Sequence, residues 1–232
     1  MSERKRGRNR RDPEATRERI LRAAVAEFAA KGLGGARVDA IAARARANKR
    51  MLYHYFGNKE ALYLAALESV YAKIRAEERT LRLEGAPPLE AIRRLVIFTW
   101  DHFIENPQFL SMLATENLHR ARYLKTSPRI QAMHSPLVAL LARILERGAA
   151  EGTIRRGIDP TQLYISIAAL GYFYLSNIHT LSTVFSRDFA LPEARARRRE
   201  HIVEVILGYL NPASAAAVRG RVPAGEKRRI EA

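Results

Sequence analysis

Five side chains within one short stretch of the sequence carry groups that can bind nucleic acid. They combine an amide, two cations, a phenol and an imidazole, and they are Asn48, Lys49, Arg50, Tyr53 and His54. Amide and guanidinium groups make paired hydrogen bonds to base edges in the major groove of DNA, while cations and hydroxyls bind phosphates. A basic helical face is most often only solvated, so the surrounding elements decide whether this one meets DNA.

The segment around these side chains predicts two short helices joined by a tight turn. Each helix has one apolar face, and Gly57 is placed to end the second helix. The apolar residues of the two faces are Ile41, Ala42, Ala45, Leu52, Tyr55 and Phe56. Helices of about two turns bury little surface alone, so they need a neighbour such as Val25 and Phe28 upstream. This helix-turn-helix spacing favours DNA as the partner of the basic face.

Residues Thr16 to Leu67 resemble the DNA-binding domain of the TetR family of transcriptional repressors. The similarity lies in the run ILRAAVAEFAAKG, in the pair Ile41-Ala42 and above all in LYHYFGNKEAL from Leu52 to Leu62. The last of these motifs is highly specific for the family. The resemblance therefore implies a fold and a function for this part of the chain.

Each DNA-facing residue receives one of two roles from the resemblance. Residues 47–51 are implied to lie nearest the bases, whereas Tyr53, His54 and Lys59 are implied to face the DNA backbone. The predicted DNA-binding residues are Arg37, Asn48, Lys49, Arg50, Met51, Tyr53, His54 and Lys59.

Three departures from the family pattern change what is expected locally. Arg37 stands where Ser or Thr usually caps the first of the two helices, so the side-chain cap is lost, although Arg37 can still reach a phosphate. Arg46 stands where the turn usually has Gly, and must adopt a left-handed conformation at about 1 kcal/mol or reshape the turn. Arg50 and Met51 replace smaller residues, so the operator sequence cannot be borrowed from relatives.

Bulk composition narrows the class of partner. The 232 residues include 40 Lys and Arg against 24 Asp and Glu, a formal net charge of +16. This excess favours a polyanion, nucleic acid before membrane, because binding releases condensed counterions. The chain has no cysteine, which excludes disulfides, thiolate chemistry and Cys-type zinc sites. Since the N-terminus lacks an apolar signal core, we expect a cytoplasmic protein.

Four segments are predicted along the chain. Residues 1–12 are expected to form a disordered basic arm, either a solubilising tail or, as we prefer beside a helix-turn-helix, an arm that follows phosphates or enters the minor groove. Residues 13–57 are predicted to form the helix-turn-helix domain, and residues 58–211 a helical domain for ligand binding and dimerisation. Residues 212–232 are expected to be a disordered tail.

The chain is predicted to be all-α, with about nine helices in two domains, because no strand-like alternation occurs. Residues 162–186, the predicted eighth helix, contain no Asp, Glu, Lys or Arg. Their hydroxyl and amide groups are too many for a lipid-facing span, so no membrane partner is expected. An uncharged helix of a globular protein is buried on both sides. We expect the last two helices to meet those of a second subunit in a four-helix interface, as the resemblance also implies.

The sequence offers no recognisable catalytic or metal site. None of the six histidines has His-x-x-x-His or His-Glu-x-x-His spacing, and no Gly-x-Ser-x-Gly elbow, P-loop or Rossmann fingerprint occurs. His102, His134 and His201 are expected on the surface or at helix caps. We therefore expect no enzymatic activity, no metal and no cofactor.

A small-molecule site is the remaining candidate. Aromatic, amide and imidazole groups on three C-terminal helices form a mixture typical of ligand pockets, and equally of ordinary cores. A planar organic ligand is expected, with a carboxylate favoured by Arg120 and Arg122 nearby in the sequence. The C-terminal half also resembles TetR-type regulators of pyrimidine and nicotinate catabolism, in ALGYFYLSNIHTLSTVF and ENPQF. The predicted ligand-binding residues are Trp100, Phe103, Phe109, Met112, Tyr172, Asn177 and His179.

These expectations combine into one main hypothesis. The chain is predicted to be a homodimer that represses transcription from a palindromic double-stranded DNA operator and is released by a small organic effector. The alternative is an architectural DNA-binding protein whose C-terminal domain only dimerises, and the third possibility is an enzyme without a recognisable motif. A cavity between helices five to eight would separate the first hypothesis from the second.

Overall fold

The computed structural model describes residues 12–214. Within that range the protein contains ten α-helices, two short 3₁₀ helices and no strand, which confirms the all-α class. The 3₁₀ helices cover Leu83–Gly85 and Leu124–Thr126. The predicted basic arm and almost all of the predicted tail lie outside the described residues. The α-helices are α1 (Pro13–Gly35), α2 (Val38–Arg44), α3 (Lys49–Phe56), α4 (Lys59–Thr80), α5 (Pro88–Glu105), α6 (Pro107–Leu118), α7 (Pro128–Ala150), α8 (Pro160–Ser176), α9 (Ile178–Val184) and α10 (Pro192–Leu210).

The helices form two compact units. The first unit consists of residues 12–73 and 107–131, and the second of residues 74–106 and 132–214. Helices α4 and α7 each contribute residues to both units. This division by packing differs from the predicted functional division at residue 58, which stays a prediction.

Helix α1 supplies much of the core of the first unit, and local sequence determines both of its ends. Asp12 caps the start, where its Oδ1 accepts a hydrogen bond from the backbone N–H of Glu14 at 3.0 Å. Gly32 interrupts the helix with a φ of +63°, a conformation that costs glycine little. The fully buried residues of its inner face are Ile20, Ala24 and Phe28.

A buried carboxylate connects α4, α6 and the residues after α6 within the first unit. The Oε1 of Glu116 accepts a hydrogen bond from the hydroxyl of Tyr63 at 3.0 Å. Its Oε2 accepts bonds from the backbone N–H groups of Tyr123 and Leu124, at 3.2 and 2.9 Å. Burial and the adjacent Glu116 carboxylate raise the pKa of Tyr63 above its ordinary value, so the phenol stays protonated and donates.

The core of the second unit is built from α5, α7, α8 and α10. The rings of Trp100 on α5 and Tyr174 on α8 lie 5.6 Å apart. Gly171 on α8 leaves room for the α5 side chains, because a Cβ at that position would lie 3.3 Å from the ring of Phe103. Other buried members of the core include Leu95, Leu141, Ile167, Ile202 and Ile206.

The uncharged segment is two helices rather than one, so the prediction of a single eighth helix is wrong. The break falls at Asn177, whose φ of −111° and ψ of 16° are not helical. The side-chain amide of Asn177 donates to the carbonyl oxygen of Phe173 at 2.8 Å. Asparagine competes in this way with the helical backbone for hydrogen bonds, which explains the end of α8.

Helix α7 begins earlier than the sequence pattern predicted, at Pro128 instead of near Ser135. Its start is fixed by Ser127, whose hydroxyl oxygen accepts from the N–H of Ile130 at 3.2 Å and donates to Glu68 at 2.7 Å. A Ser-Pro pair is a common helix start. Pro136 lies inside the helix, although the sequence pattern predicts it within the first turn.

Candidate nucleic-acid interface

Helix α2 begins without the usual hydroxyl cap, as the residue at that position predicted. Arg37 has extended backbone angles and makes no side-chain cap. The buried carboxylate of Glu27 accepts a hydrogen bond from the backbone N–H of Arg37 itself, at 3.3 Å, which anchors the residue before α2 without capping the helix. The hydrogen bond from Lys31, at 2.8 Å, holds the pKa of Glu27 below its ordinary value. No pattern in the sequence indicates this hydrogen bond between Glu27 and Arg37.

The turn between α2 and α3 keeps the usual geometry despite its arginine. Arg46 has a φ of +49°, in the left-handed region that favours glycine. Its N–H donates to Ala43 at 3.1 Å and the N–H of Ala47 donates to Ala42 at 3.0 Å, a Schellman pattern that satisfies the last carbonyls of α2. Two outcomes were expected for Arg46, a left-handed conformation or a reshaped turn. The structure shows the left-handed conformation.

Helix α3 is fixed at both ends and along its inner face. The side-chain Oδ1 of Asn48 accepts a hydrogen bond from the N–H of Met51 at 2.8 Å, which caps the start. Leu52 and Phe56 are buried, and Gly57 ends the helix with a φ of +80°. These contacts hold the helix in place while leaving its other side free of core packing.

The outer side of α3 presents polar side chains to solvent. Exposed residues on it are Asn48, Lys49, Arg50, Tyr53 and His54, while Met51 is half-buried. The cap role of Asn48 engages its carbonyl oxygen and leaves its amide N–H₂ group to donate. All five exposed side chains are hydrogen-bond donors of the kind used on bases and phosphates.

Of these five exposed side chains, Lys49 forms an ion pair within the protein. Its Nζ lies 3.1 Å from Oδ1 of Asp39 on α2, in an exposed ion pair. Such pairs contribute little, between about 0 and 1 kcal/mol, and can exchange for a phosphate or a base. The sequence contained the two residues but gave no indication that they pair.

Two further predicted DNA contacts lie at the starts of other helices. Arg37 is exposed at the beginning of α2, and Lys59 is half-buried at the first position of α4. Asn58 caps α4, its Oδ1 accepting from the N–H of Ala61 at 2.7 Å. Helix N-termini bind phosphates because their free N–H groups and the helix dipole favour negative charge.

Two of the predicted ligand-binding residues belong to the first unit. Phe109 and Met112 lie on α6 and are buried. The ring of Phe109 meets that of Tyr71 edge-on at 5.3 Å. Both side chains thus take part in the packing of the first unit, and a role for them in ligand binding stays a prediction.

The other five predicted ligand-binding residues belong to the second unit, at different depths. Trp100 and Phe103 are buried on α5, facing α8. Tyr172 and Asn177 are half-buried, and His179 is exposed. The structure therefore brings Trp100 and Phe103 to one helix contact, whereas His179 faces solvent in the isolated chain.

Two grooves open on the second unit away from these residues. One, of about 310 Å³, lies between α5 and α10 and is lined by charged and aliphatic side chains, including Arg93, Ile97 and Glu204. The other, of about 150 Å³, lies between α7 and the start of α8 and includes Arg156 and Pro160. Neither groove is lined by any predicted ligand-binding residue.

His102 is buried, so its predicted surface or capping role is wrong. Its Nδ1 lies 2.7 Å from Oε2 of Glu77 on α4. A signal for this burial was present, since His102 follows the buried Leu95 and Thr99 at the spacing of one helical face. His201 is exposed as expected, and the side chain of His134 lies outside the described residues.

The described part of the chain contains neither a candidate metal site nor a candidate membrane span. Among residues 12–214, no three His, Asp or Glu side chains are grouped so that they could hold a metal ion. None of the helices described there has the length and apolar character needed to cross a membrane.

Comparison with known protein families gives two matches that together span most of the described chain. Residues 20–66 match the family described as "Bacterial regulatory proteins, tetR family". Residues 88–206 match the family described as "Tetracyclin repressor-like, C-terminal domain". The two matches cover, respectively, the helix-turn-helix region and most of the helices that follow α4.

Individual relatives agree with the family matches. The transcriptional repressor NicS of Pseudomonas putida is 42% identical over 196 residues, covering 84% of this chain and 92% of NicS. The transcriptional regulator RutR of Escherichia coli is 29% identical over 170 residues, covering 72% of this chain and 77% of RutR. Among solved structures, the transcriptional regulator SCO4942 of Streptomyces coelicolor superimposes with a TM-score of 0.64 at 25% identity, over 84% of this chain and 98% of that one.

Proposed function

The chain belongs to the TetR family of transcriptional regulators, and from this premise we propose that it is a homodimeric repressor released from a palindromic operator by a small organic ligand. Its relatives are DNA-binding regulators of transcription and not enzymes. The observation that carries the proposal is the outer face of α3, where five hydrogen-bond donors are exposed while Leu52 and Phe56 anchor the helix. We propose that the repressor acts in the cytoplasm, where its operator lies.

Helix α3 enters the major groove in this proposal, and its residues divide into two classes. Lys49, Arg50 and Met51, with the amide of Asn48, contact base edges and set the sequence preference. The second class contacts phosphates and positions the helix without reading sequence. Its members are Arg37, Tyr53, His54 and Lys59.

Dimerisation is proposed through α8 and α10. Ile165 and Phe173 on α8 and Val205 and Tyr209 on α10 are exposed, although their side chains are large and apolar. Apolar surface of this kind is stabilised when a second copy covers it. The two α3 helices of the dimer would then meet successive major grooves about 34–36 Å apart, which requires a palindromic operator.

Release by a ligand is proposed for the second unit. Support comes from the contact of Trp100 and Phe103 with α8, where aromatic rings and a glycine lie together. A ligand weakens operator binding only by the difference between its affinities for the two states of the protein. The proposed effector is a planar organic molecule near these rings.

Selection of bound fragments from genomic DNA tests the DNA part of the proposal. We expect enrichment of a palindrome, a mass of the protein–DNA complex that corresponds to two chains, and steeply salt-dependent binding. Substrates and products of the enzymes encoded next to the enriched fragment are then tested for release of that fragment from the protein. The architectural alternative would be supported instead by uniform binding to all fragments and by release with none of the metabolites.

A further inference from the structure

A pair of opposite charges is buried inside the second unit. Arg75 and Glu78 lie one turn apart on α4, and their side chains are 4% and 6% exposed. Nη1 of Arg75 is 2.8 Å from Oε2 of Glu78. Nη2 of Arg75 donates a hydrogen bond of 2.8 Å to the hydroxyl of Tyr164 on α8, and the guanidinium lies 5.5 Å from the centre of that ring.

The hydrogen bonds of this pair are incomplete. Within the described part of the chain, Nε of Arg75 and Oε1 of Glu78 have no hydrogen-bond partner, and Nη1 of Arg75 makes only the ion-pair contact with Glu78, without hydrogen-bond geometry. Buried polar atoms are nearly always satisfied, and an ion pair taken out of water is stabilised only when its remaining donors and acceptors are bonded. The guanidinium therefore has donors available for an acceptor that residues 12–214 do not supply.

The raised pKa of Glu78 also leaves positive charge on Arg75 without a compensating anion. Burial raises the pKa of Glu78 to about 7, although the neighbouring Arg75 and Arg79 both act to lower it. Near neutral pH a substantial fraction of the pair therefore consists of a cation beside a neutral carboxyl group. That combination leaves Arg75 with a positive charge that is only partly compensated.

We propose that Arg75 binds the carboxylate of the effector, with Tyr164 holding the guanidinium in place and Glu78 as the internal acid that the effector replaces. This assignment rests on the proposed function and specifies its ligand as a small organic acid. Arginine suits the role because its planar fork of donors matches the two oxygens of a carboxylate.

Replacement of the Glu78 carboxylate by the effector carboxylate keeps one negative charge beside Arg75. When the effector carboxylate takes the donors of Arg75, Glu78 takes up one proton from solvent if it was ionised. The protonated carboxyl can then donate a hydrogen bond to an effector oxygen. The charged and titratable groups around Glu78 are Arg75, Arg79 and Tyr164, and none of them needs to change its protonation state.

In this proposal Arg75 binds the effector carboxylate, a role for which the sequence had suggested Arg120 and Arg122. Arg120 and Arg122 are exposed and belong to the first unit. An exposed guanidinium is solvated by water and contributes little to binding a small anion, whereas a buried one acts in a medium of low dielectric constant. Burial is what distinguishes Arg75 as the anchor.

Matched acids and amides test the assignment. Benzoate and benzamide, nicotinate and nicotinamide, and further aromatic and short aliphatic acids with their amides are titrated into the complex of the full chain with a fluorescent operator fragment. Release of DNA is followed by anisotropy. We expect release by one or more acids and at least about tenfold weaker release by the corresponding amides, because the charge-assisted bonds are lost.

Substitutions at Arg75, Glu78 and Arg79 separate a ligand contact from a structural ion pair. Arg75→Gln should weaken the effect of the active acid by about 10- to 100-fold, and Arg79→Gln, an exposed neighbour on the same helix, should leave it unchanged. Glu78→Gln should keep or strengthen the effect, because it removes the competing carboxylate. Thermal unfolding checks that each variant folds, and Arg75→Lys serves if Arg75→Gln does not, with a loss of about tenfold.

The outcomes distinguish this assignment from the wider function. Amides as effective as their acids, or equal losses in Arg75→Gln and Glu78→Gln, would overturn the role of Arg75 and leave release by a ligand standing. If no acid or amide released the DNA although the protein bound its operator, the release step of the proposed function would be wrong, and the assignment of Arg75 with it.

Discussion

The cations proposed to bind anions lie in opposite environments in the helix-turn-helix and in the second unit. Lys49 and Arg50 of α3 are exposed, whereas Arg75 and Glu78 are buried among the helices of the second unit. Exposed cations attract an extended polyanion, and their effect falls as salt rises. Buried cations are little screened, and in our proposal Arg75 acts on a small ligand. The two proposed sites thus differ in the kind of anion that each would bind.

The two regions also differ in how far apart their partners lie in the sequence. Asn48 and Met51, which cap α3, are three residues apart. Arg75 and Tyr164 are 89 residues apart. Contacts of the first kind recur as a motif, while contacts of the second kind depend on how whole helices pack.

The largest expected effect concerns the buried carboxylate of the first unit and its contribution to the free energy of unfolding. Glu116→Ala removes a carboxylate that accepts three hydrogen bonds, from Tyr63 and from the backbone N–H groups after α6. We expect a loss of about 4 kcal/mol in the free energy of unfolding, measured by urea denaturation. Glu105→Ala, at an exposed end of α5, should change it by less than about 0.5 kcal/mol. Similar values for both variants would contradict the importance of this buried group.

The next effect concerns the exposed apolar surface of the second unit. Phe173→Asp places a charge on the proposed dimer interface, where it would lose its hydration. We expect the dissociation constant of the dimer, measured by sedimentation, to rise by about 100-fold. Leu118→Asp, which changes an exposed apolar residue of α6, is the matched control and should leave the dimer intact. An unchanged dimer in Phe173→Asp would place the interface elsewhere.

A pH effect of about 1 kcal/mol follows from the buried acid of the second unit. Because burial raises the pKa of Glu78 to about 7, above the ordinary 4.5, the folded state binds this proton more tightly than the unfolded state. The stability from this group is complete at low pH and is lost as pH rises through 7, so the protein should gain about 1 kcal/mol between pH 8 and pH 6. Urea unfolding followed by Trp100, the single tryptophan, measures it. Glu78→Gln should lack this gain, and an identical pH profile would refute the assignment.

The smallest effect sharpens the description of the helix-turn-helix. Arg46→Gly removes a left-handed arginine from the turn and should stabilise the protein by about 0.5–1 kcal/mol, with no change in DNA sequence preference. Arg44→Gly, inside α2, should instead destabilise it by about 1 kcal/mol. If Arg46→Gly altered the preferred operator, Arg46 would have to be counted among the base-reading residues.

The helix-turn-helix could be predicted from sequence because its determinants are local. The apolar spacing of α2 and α3 and the end at Gly57 appear in the structure as expected, and Arg46 adopts the first of its two expected conformations. The hydrogen bond from the backbone N–H of Arg37 to Glu27 could not be predicted, since Glu27 lies ten residues upstream on another helix. The DNA contacts themselves remain predictions.

The second unit could be predicted only as a set of helices. Periodicity found α5, α8 and α10, but not the break at Asn177, where one side chain competes with the helical backbone. Neither the pairing of His102 with Glu77 nor that of Arg75 with Tyr164 leaves a signal in the spacing, because the partners lie on different helices. Whether a predicted aromatic residue lines a ligand site also depends on such packing.

Comparison of two α3-region variants in the same DNA selection tests the central claim, that the outer face of α3 reads the operator. The account predicts that Arg50→Ala loses preference at particular base pairs, by about 1–3 kcal/mol where a guanine contact is lost. Lys59→Ala should weaken binding to all sequences alike and lower the salt slope by about one. An Arg50→Ala protein that selected the wild-type operator with unchanged preference would contradict the claim.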